Sequence, residues 1–331
     1  MSTAATTATN DGAKNLAVFD EIKTAILHVQ KILIISHKSP DADTIGANLA
    51  LREALENLGK TVESACINPV PQNCLFLKKS DTFLSDFEPS SYDLIITVDC
   101  GGYKLTGFTD KKPVLLDRHA TNLINIDHHP SNDHFGRVNL VMSETPSTCF
   151  ILFLMFTYYG WDISPEMATA MLHGIYYDTG SFMHSNTTAA TLRVAARLKA
   201  LGADLEKCTK EQFHTSPINK LRLYGRALSR ASINSKNAVI SILTKEDFYE
   251  LGASQEDASG LINYLNHVPQ TKFSLLLTED PSGLIKGSLR TQDEQIDLSE
   301  IAQLFGGGGH KKAAGFSIKG SLSPKTTWQI N

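Results

Sequence analysis

The chain has few cysteines, and none of them are paired. Cys66, Cys74, Cys100, Cys149 and Cys208 are five single residues with no CxxC among them. An odd, scattered set in 331 residues excludes a disulfide framework and a cysteine-based zinc site. It reads as reduced thiols that serve as small buried side chains in a cytoplasmic protein. A basic excess is also missing: 31 Lys and Arg stand against 35 Asp and Glu, a net charge of −4. That balance excludes tight non-specific binding to long duplex DNA and leaves room only for a local basic groove. No apolar run approaches the length of about 18 residues that a membrane helix needs, so no membrane contact is expected. The longest, over residues 150–159, reads as a buried helix. The first ten residues lack a basic n-region and an apolar core, so they read as a floppy tail and not as a signal peptide. Internal repeats and coiled-coil heptads are absent too. What remains is 42% hydrophobic and 20% charged residues, enough for sizeable cores in about two domains.

From Phe19 the pattern becomes regular. Residues 19–30 predict a first helix. KILIIS over residues 31–36, DLIITV over 93–98 and LINI over 123–126 are apolar runs suited to strands buried on both faces. Residues 61–67 add another strand. Helical spacing covers 44–58, 147–159, 165–176 and 188–201, with Gly59 and Gly202 as stops. This alternation predicts an α/β domain with a parallel sheet. Beyond residue 205 the pattern changes. Residues 205–233 look like a helical connector, 238–243, 272–278 and 284–289 like shorter strands, and 297–304 like a short helix. EDPSG between the last two strands is a turn. A smaller α+β domain is expected there.

The polar residues are placed by these strands. KILIIS runs into His37-Lys38-Ser39-Pro40-Asp41-Ala42-Asp43, DLIITV into Asp99-Cys100-Gly101, and LINI into Asp127-His128-His129. Ligands in parallel α/β sheets sit at the carboxyl ends of strands, so three segments deliver acids and imidazoles to one edge. Asp178 ends the helical stretch HGIYYDTGSF nearby. Four carboxylates, Asp41, Asp43, Asp99 and Asp178, converging with His37, His128 and His129 would repel one another and lift each other's pKa. One or two divalent cations remove that repulsion. Carboxylate and imidazole donors without thiolate suit manganese, magnesium, iron or zinc; the carboxylate share favours manganese or magnesium, and the imidazoles favour manganese. Two such ions activate a water and stabilise attacking and leaving oxygens, the chemistry of phosphate-ester hydrolysis. HxxxDxD or DHH alone would be a chance loop sequence; their order, each at a strand end, is what carries the reading.

The other end supplies a complementary half. Gly306-Gly307-Gly308-Gly309-His310 precedes Lys311-Lys312-Ala313-Ala314-Gly315. Glycines let backbone N–H groups approach an anion, and His310 and the lysines add positive charge. Arg290 at a strand end could grip a phosphate in bidentate fashion. Asp117-Arg118-His119 imitates DHH without a matching partner set and reads as a loop. His28, His134, His173, His184, His214 and His267 read as surface or core residues, His184 being the nearest to Asp178. Asn186-Thr187-Thr188 reads first as a helix N-cap and second as a substrate contact.

The motifs HKSPDADTIGANLAL, VDCG, IDHHPSND, HGIYYDTGSF with SNTT, and GGGGHKKAAGF resemble those of the DHH phosphoesterase family, over residues 19–320. Size and C-terminal motif resemble its nanoRNase and pAp-phosphatase branch, the NrnA-like proteins. The resemblance implies a parallel-sheet DHH metal-binding catalytic domain over residues 16–204 after a flexible tail over 1–15. A helical linker over 205–236 and a smaller α+β DHH-associated substrate-binding domain over 237–331 would follow, with the active site in the cleft between them. It implies manganese-dependent hydrolysis of short single-stranded RNA or DNA oligonucleotides, including linear dinucleotides such as pApA or pGpG, to mononucleotides, and of 3′-phosphoadenosine 5′-phosphate (pAp) to AMP. His37, Asp41 and Asp99 would hold one ion, and Asp43, Asp99, His128 and Asp178 the other, with Asp99 bridging and magnesium as the alternative metal. His129 would position or polarise the attacked phosphate or water, and Asp127 would orient a neighbouring histidine. His310, the backbone of Gly307, Gly308 and Gly309, and Arg290 would hold substrate phosphate. A homodimer is implied as well. Ala42 and Ala47 stand where such proteins often carry Gly and Ser, and Met183 where a basic residue is common. Competing readings are a cyclic dinucleotide (c-di-AMP) phosphodiesterase and a non-catalytic nucleotide-binding regulatory module. A RecJ-like processive exonuclease fits the composition less well, and the GGGGH segment argues against a family II pyrophosphatase.

Overall fold

A computed structural model describes residues 3–116, 122–213 and 217–323. They fall into two compact units, divided between Thr215 and Ser216. The Asp117-Arg118-His119 segment and His214 lie outside the described residues.

The first unit is built on a parallel sheet of β1 (Lys31–Ser36), β2 (Thr61–Ala65), β3 (Leu94–Val98), β4 (Leu123–Asp127) and β5 (Val138–Val141), in the order β2-β1-β3-β4-β5. Successive strand side chains point to opposite faces, so each apolar run feeds two cores. Ile32 and Ile34 of β1 pack on one face with the helices, while Leu33 and Ile35 pack on the other with Phe87, Phe108 and Phe135. The helices are α1 (Thr3–Leu27), α2 (Ala42–Asn57), α3 (Thr148–Tyr159), α4 (Pro165–Asp178), α5 (Ala189–Ala200) and α6 (Leu205–Phe213). Ser147 and Ser164 cap α3 and α4 by accepting from the N–H groups of Phe150 and Met167. Thr188 caps α5 through a reciprocal bond with Thr191, as its sequence predicts.

Register places the site. Ser36 pairs with Val98, and Val98 with Ile126. His37, Asp99 and Asp127 therefore follow one another across the carboxyl edge of three adjacent strands. Helix α4 reaches this edge because α2 and α4 pack with almost no space between them. A Cβ on Gly46 would fall 2.4 Å from the Ala170 carbonyl oxygen, and one on Gly174 would fall 2.5 Å from Cys149 Sγ and 2.7 Å from Asp43 Oδ1.

The second unit holds α7 (Ile218–Ser229), β6 (Ser232–Ile233), β7 (Ala238–Leu243), α8 (Lys245–Leu251), α9 (Leu261–Leu265), β8 (Phe273–Asp280), β9 (Leu284–Arg290), α10 (Leu298–Gln303), β10 (Gly308–His310) and β11 (Ala313–Lys319). Its sheet runs β10-β11-β9-β8-β7-β6, with β7 and β8 parallel and the other pairs antiparallel. One core lies against α7, α8 and α9, the other against α10.

Two expectations change, and one strand was not anticipated. The tail expected over residues 1–15 is helical from Thr3 onward, continuous with the helix expected to begin at Phe19. Alanines at 4, 5, 8, 13 and 17 favour helix and no proline interrupts them, while Phe19, Ile22 and Ile26 anchor the C-terminal half in the core. The helical linker expected over 205–236 is not a separate element. Helix α6 belongs to the first unit, where Cys208 is buried, and α7 to the second, where it buries Leu223 and Ala227. Strand β5, only four residues long and half-exposed in alternation, was too short to read as a run.

Gly174→Ala is expected to destabilise the protein by about 1–3 kcal/mol, the usual range for overpacking, seen as a lower melting temperature. An unchanged melt would show that α4 can retreat from Asp43 without cost.

Candidate metal centre

Each side chain at the edge is fixed by a local feature of the chain. Asp99 follows β3 in the left-handed region, with φ 58°, and is 2% exposed. Its N–H donates to Ile126 O at 2.9 Å, which ties the turn to β4. Asp41 is the N-cap of α2; its Oδ1 accepts from the N–H groups of Asp43 and Thr44 at 3.0 and 3.1 Å. Asp43, fully buried, accepts from the N–H groups of Thr148 and Cys149 at 2.6 and 3.0 Å, so it sits on the N-terminus of α3. Asp178 is the last residue of α4.

The two histidines share one arrangement. His37 Nδ1 lies 2.8 Å from Lys38 O, and His128 Nδ1 lies 3.4 Å from Thr145 O. A proton on each Nδ1 donates to a carbonyl and leaves Nε2 aimed at the carboxylates. His37 Nε2 is 3.8 Å from Asp41 Oδ1 and 3.4 Å from Asp99 Oδ2. His128 Nε2 is 3.4 Å from Asp99 Oδ1 and 3.2 Å from Asp178 Oδ2. Asp99 thus offers one oxygen to each histidine.

Three overlapping triads result: His37, Asp41 and Asp99; Asp43, His128 and Asp178; and Asp99, His128 and His129. The donor atoms of each lie within 4.8 Å of one another. All six residues expected as metal ligands are therefore gathered into one cluster. Carboxylate and neutral imidazole donors, with no thiolate among them, fit a hard divalent cation.

The electrostatics show what a cation would relieve. Burial opposes charge on His37, but hydrogen bonds to Asp41 and Asp99 outweigh it and raise its pKa to about 11. Burial likewise opposes charge on His128, and the bonds to Asp178 and Asp99 raise it to about 12. Burial works against the Asp99 carboxylate, yet His128 and His37 hold it well below the usual carboxylate range. Asp178 is pushed well above its ordinary value, first by burial and then by the charge of Asp43. Without a cation, burial and mutual repulsion thus work against the acids while the carboxylates favour protons on the two imidazoles.

His129 lies beside this cluster. Its Nδ1 is 2.7 Å from Asp127 Oδ1 and 3.7 Å from Asp99 Oδ1. Asp127 is fully buried. Three residues escaped the sequence reading. Thr148 Oγ1 donates to Asp99 Oδ1 at 3.1 Å while its N–H holds Asp43. Asn125 and Asn132 form a buried amide pair beside Asp127. A polar Asn125 inside the apolar LINI run, and Asn132 within IDHHPSND, were the available signals. His184 and Asn186 lie 3.4 and 3.2 Å from the Asp178 carbonyl oxygen, and Asn186 also donates to Pro146 O at 3.4 Å.

In the second unit Arg290 is half-buried at the end of β9, where its guanidinium donates to Leu289 O at 2.9 Å. His310 pairs with Ala313 across β10 and β11, and Ala313 pairs with Arg290, so the two lie in one cross-strand row. The glycines serve close approach first: a Cβ on Gly307 would fall 2.2 Å from Gly315 O, and one on Gly309 2.5 Å from Ala313 O. The Gly307 N–H, expected to hold phosphate, instead donates to Ala302 O at 2.9 Å. The orphan carbonyls at the end of α10 claim it.

Comparison with known proteins finds matches to both units. The profile described as the DHH family, N-terminal domain, matches residues 31–175, and the DHHA1 domain matches 235–326. A protein of Thermus thermophilus named "Bifunctional oligoribonuclease and PAP phosphatase NrnA" is 31% identical over 291 residues, 87% of this chain and 84% of its own length. The crystal structure of an exopolyphosphatase-related protein from Bacteroides fragilis superposes with a TM-score of 0.86 at 27% identity, covering 93% of this chain and 92% of that one. RecJ from Thermus thermophilus, solved in complex with Mn2+, shares the fold at a TM-score of 0.54 and 15% identity, covering 92% of this chain and 52% of RecJ. The chain belongs to the DHH phosphoesterase family, in the form that carries a C-terminal DHHA1 domain. Among the described residues, no helix is long and apolar enough to cross a membrane.

The imidazole pKa values give the pH dependence a sign. Both are raised above the unfolded value of about 6.5, so their contribution to stability is full below that pH and is lost as pH rises toward about 11 and 12. Cation binding needs both neutral and releases their protons. The metal-free protein is expected to lose melting temperature between neutral and alkaline pH, while the increment given by Mn2+ grows. Scanning fluorimetry with and without Mn2+ across pH checks this; an increment that shrinks with pH would contradict it.

Proposed function

We propose that this chain is a two-metal phosphoesterase that cleaves short oligonucleotides and linear dinucleotides to mononucleotides and removes the 3′-phosphate of pAp to give AMP. The observation that carries the reading is the complete donor set, three overlapping Asp and His triads joined through Asp99 and His128. The substrate class rests on the similarity to the oligoribonuclease and PAP phosphatase of Thermus thermophilus along both domains.

His37, Asp41 and Asp99 would hold one ion, and Asp43, Asp99, His128 and Asp178 the second, with manganese preferred over magnesium because two imidazoles are among the donors. When bound, such ions supply charge stabilisation at the phosphate and lower the pKa of water. The protein's own groups do the rest. Asp99 is shared between the two sets because its two oxygens face different histidines. Thr148 fixes Asp99 and Asp43 at once. Burial opposes charge on His129, but its bond to Asp127 and the nearby Asp99 outweigh this and raise its pKa. His129, held by Asp127, is placed to orient an attacked phosphate and to donate a hydrogen bond to it. Water attacks phosphorus and a nucleoside hydroxyl leaves, so a terminal phosphate and a short diester use the same centre.

Arg290 and His310 are the proposed grips for a substrate phosphate. Arg290→Ala is expected to lower kcat/KM for pAp by about 10- to 100-fold, mainly through KM, as a lost charge-assisted hydrogen bond would. An unchanged KM would remove Arg290 from substrate binding. Asp99→Ala is expected to abolish hydrolysis while the fold persists; retained activity would sink the catalytic reading in favour of a nucleotide-binding module.

The direct test is product analysis with Mn2+ on pAp, a labelled dinucleotide, a pentanucleotide, a long oligonucleotide and c-di-AMP side by side. Fast loss of pAp and the short linear substrates, with the long oligonucleotide and c-di-AMP nearly untouched, is expected. Dominant cleavage of c-di-AMP would replace the substrate assignment with cyclic dinucleotide turnover and leave the metal centre standing.

A further inference from the structure

Behind His129 lies a chain of hydrogen bonds whose direction is fixed from its far end. The Asn132 side-chain oxygen accepts from the His134 backbone N–H at 2.7 Å. A backbone N–H can only donate, so the other end of that amide is its NH2 group. This group lies 2.6 Å from Asp127 Oδ2, 2.8 Å from Asn125 Oδ1 and 3.2 Å from Cys100 O. Asn125 in turn donates to Thr97 Oγ1 at 2.9 Å and Cys100 O at 3.1 Å. Asn125 is fully buried, Asn132 is 8% exposed, and Asp127 is fully buried. Asp127 therefore has an amide donor on one oxygen and His129 Nδ1 on the other, the latter at 2.7 Å.

We propose that Asn132, held by Asn125, is a positioning residue for His129: it pins Asp127 Oδ2 so that Oδ1 fixes the His129 ring and keeps a hydrogen on Nδ1. Geometry makes the amide necessary. Without it Asp127 could rotate about its side-chain torsions, because among the described residues His129 would be its sole side-chain donor. Rotation would carry the imidazole with it, since His129 is partly exposed and its ring has the neighbouring His128, at 4.5 Å between centroids, to slide against. An orienting partner behind a site histidine is worth about 10- to 100-fold in related settings, which sets the expected size. The inference rests on His129 acting on substrate, so one arm of its test does not use activity.

In that arm, the Nδ1 proton of His129 is followed by NMR in the Mg2+-loaded protein and assigned by its loss in His129→Ala. It is expected downfield and protected in the wild type, and shifted or exchanged away in Asn132→Ala and in the isosteric Asn132→Asp. The kinetic arm is a double-mutant cycle on pAp. Asn132→Ala is expected to lower kcat by about 10- to 100-fold with KM and metal content unchanged, and to have no further effect in a His129→Ala background. An unmoved proton signal in both Asn132 variants, or losses that multiply in the double variant, would overturn the proposal. Asn132→Asp preserves side-chain volume and decides the matter should the alanine variant fail to fold. Hydrolysis by the wild type is scored in the same assay, so loss of the substrate reading is seen separately from loss of the positioning role.

Discussion

The structure of the first unit turns on Asp99. A buried carboxylate at the end of a central strand must be neutralised, and here it is neutralised from both sides. Its backbone adopts a left-handed conformation, φ 58°, which costs an ordinary L residue about 1–2 kcal/mol and is best tolerated by Asp and Asn after Gly. That turn lifts the side chain off the sheet edge and presents one oxygen to His37 and the other to His128. The two histidines come from different strands, so the pairing of β1, β3 and β4 and the charge balance of the site are one constraint.

The other carboxylates are held by helix ends. Asp41 caps α2, Asp43 sits on the first N–H groups of α3, and Asp178 closes α4. Each end is placed by packing and not by the site itself. Gly46 and Gly174 let α2 and α4 approach until a methyl group would not fit. A small residue deep in a helix interface thereby sets the distance between acids at the surface edge. His173, next to Gly174, is fully buried against Phe76, and burial lowers its pKa to about 4. It stays neutral and belongs to the core, not to the site.

Much of this was legible in the residues. KILIIS, DLIITV and LINI announced strands because both of their faces are apolar, and the polar residues that follow each run announced the edge. The end of a strand announced Asp43 and the end of a helix announced Asp178, whereas the seat of Asp43 on the N-terminus of α3 needed three dimensions. Thr148, Asn125 and Asn132 were not found as functional residues, since a threonine at a helix start and asparagines near a turn have ordinary local roles. Only the register that brings Asn125 and Asn132 together shows them to be a network. In the second unit the glycine run was read as an anion cradle. Its first demand is steric, allowing β10 to lie on β11, and the Gly307 N–H is already taken by the end of α10. Short strands and helices such as β5, β6 and α9 escaped because too few residues carry a period.

The central claim is that one carboxylate, Asp99, joins two cation sites. Electron paramagnetic resonance of the Mn2+-loaded protein addresses it most directly. The account predicts an exchange-coupled pair of manganese ions in the wild type that collapses in Asp99→Asn. A spectrum of isolated manganese alone in the wild type, or a coupled pair that survives Asp99→Asn, would contradict it.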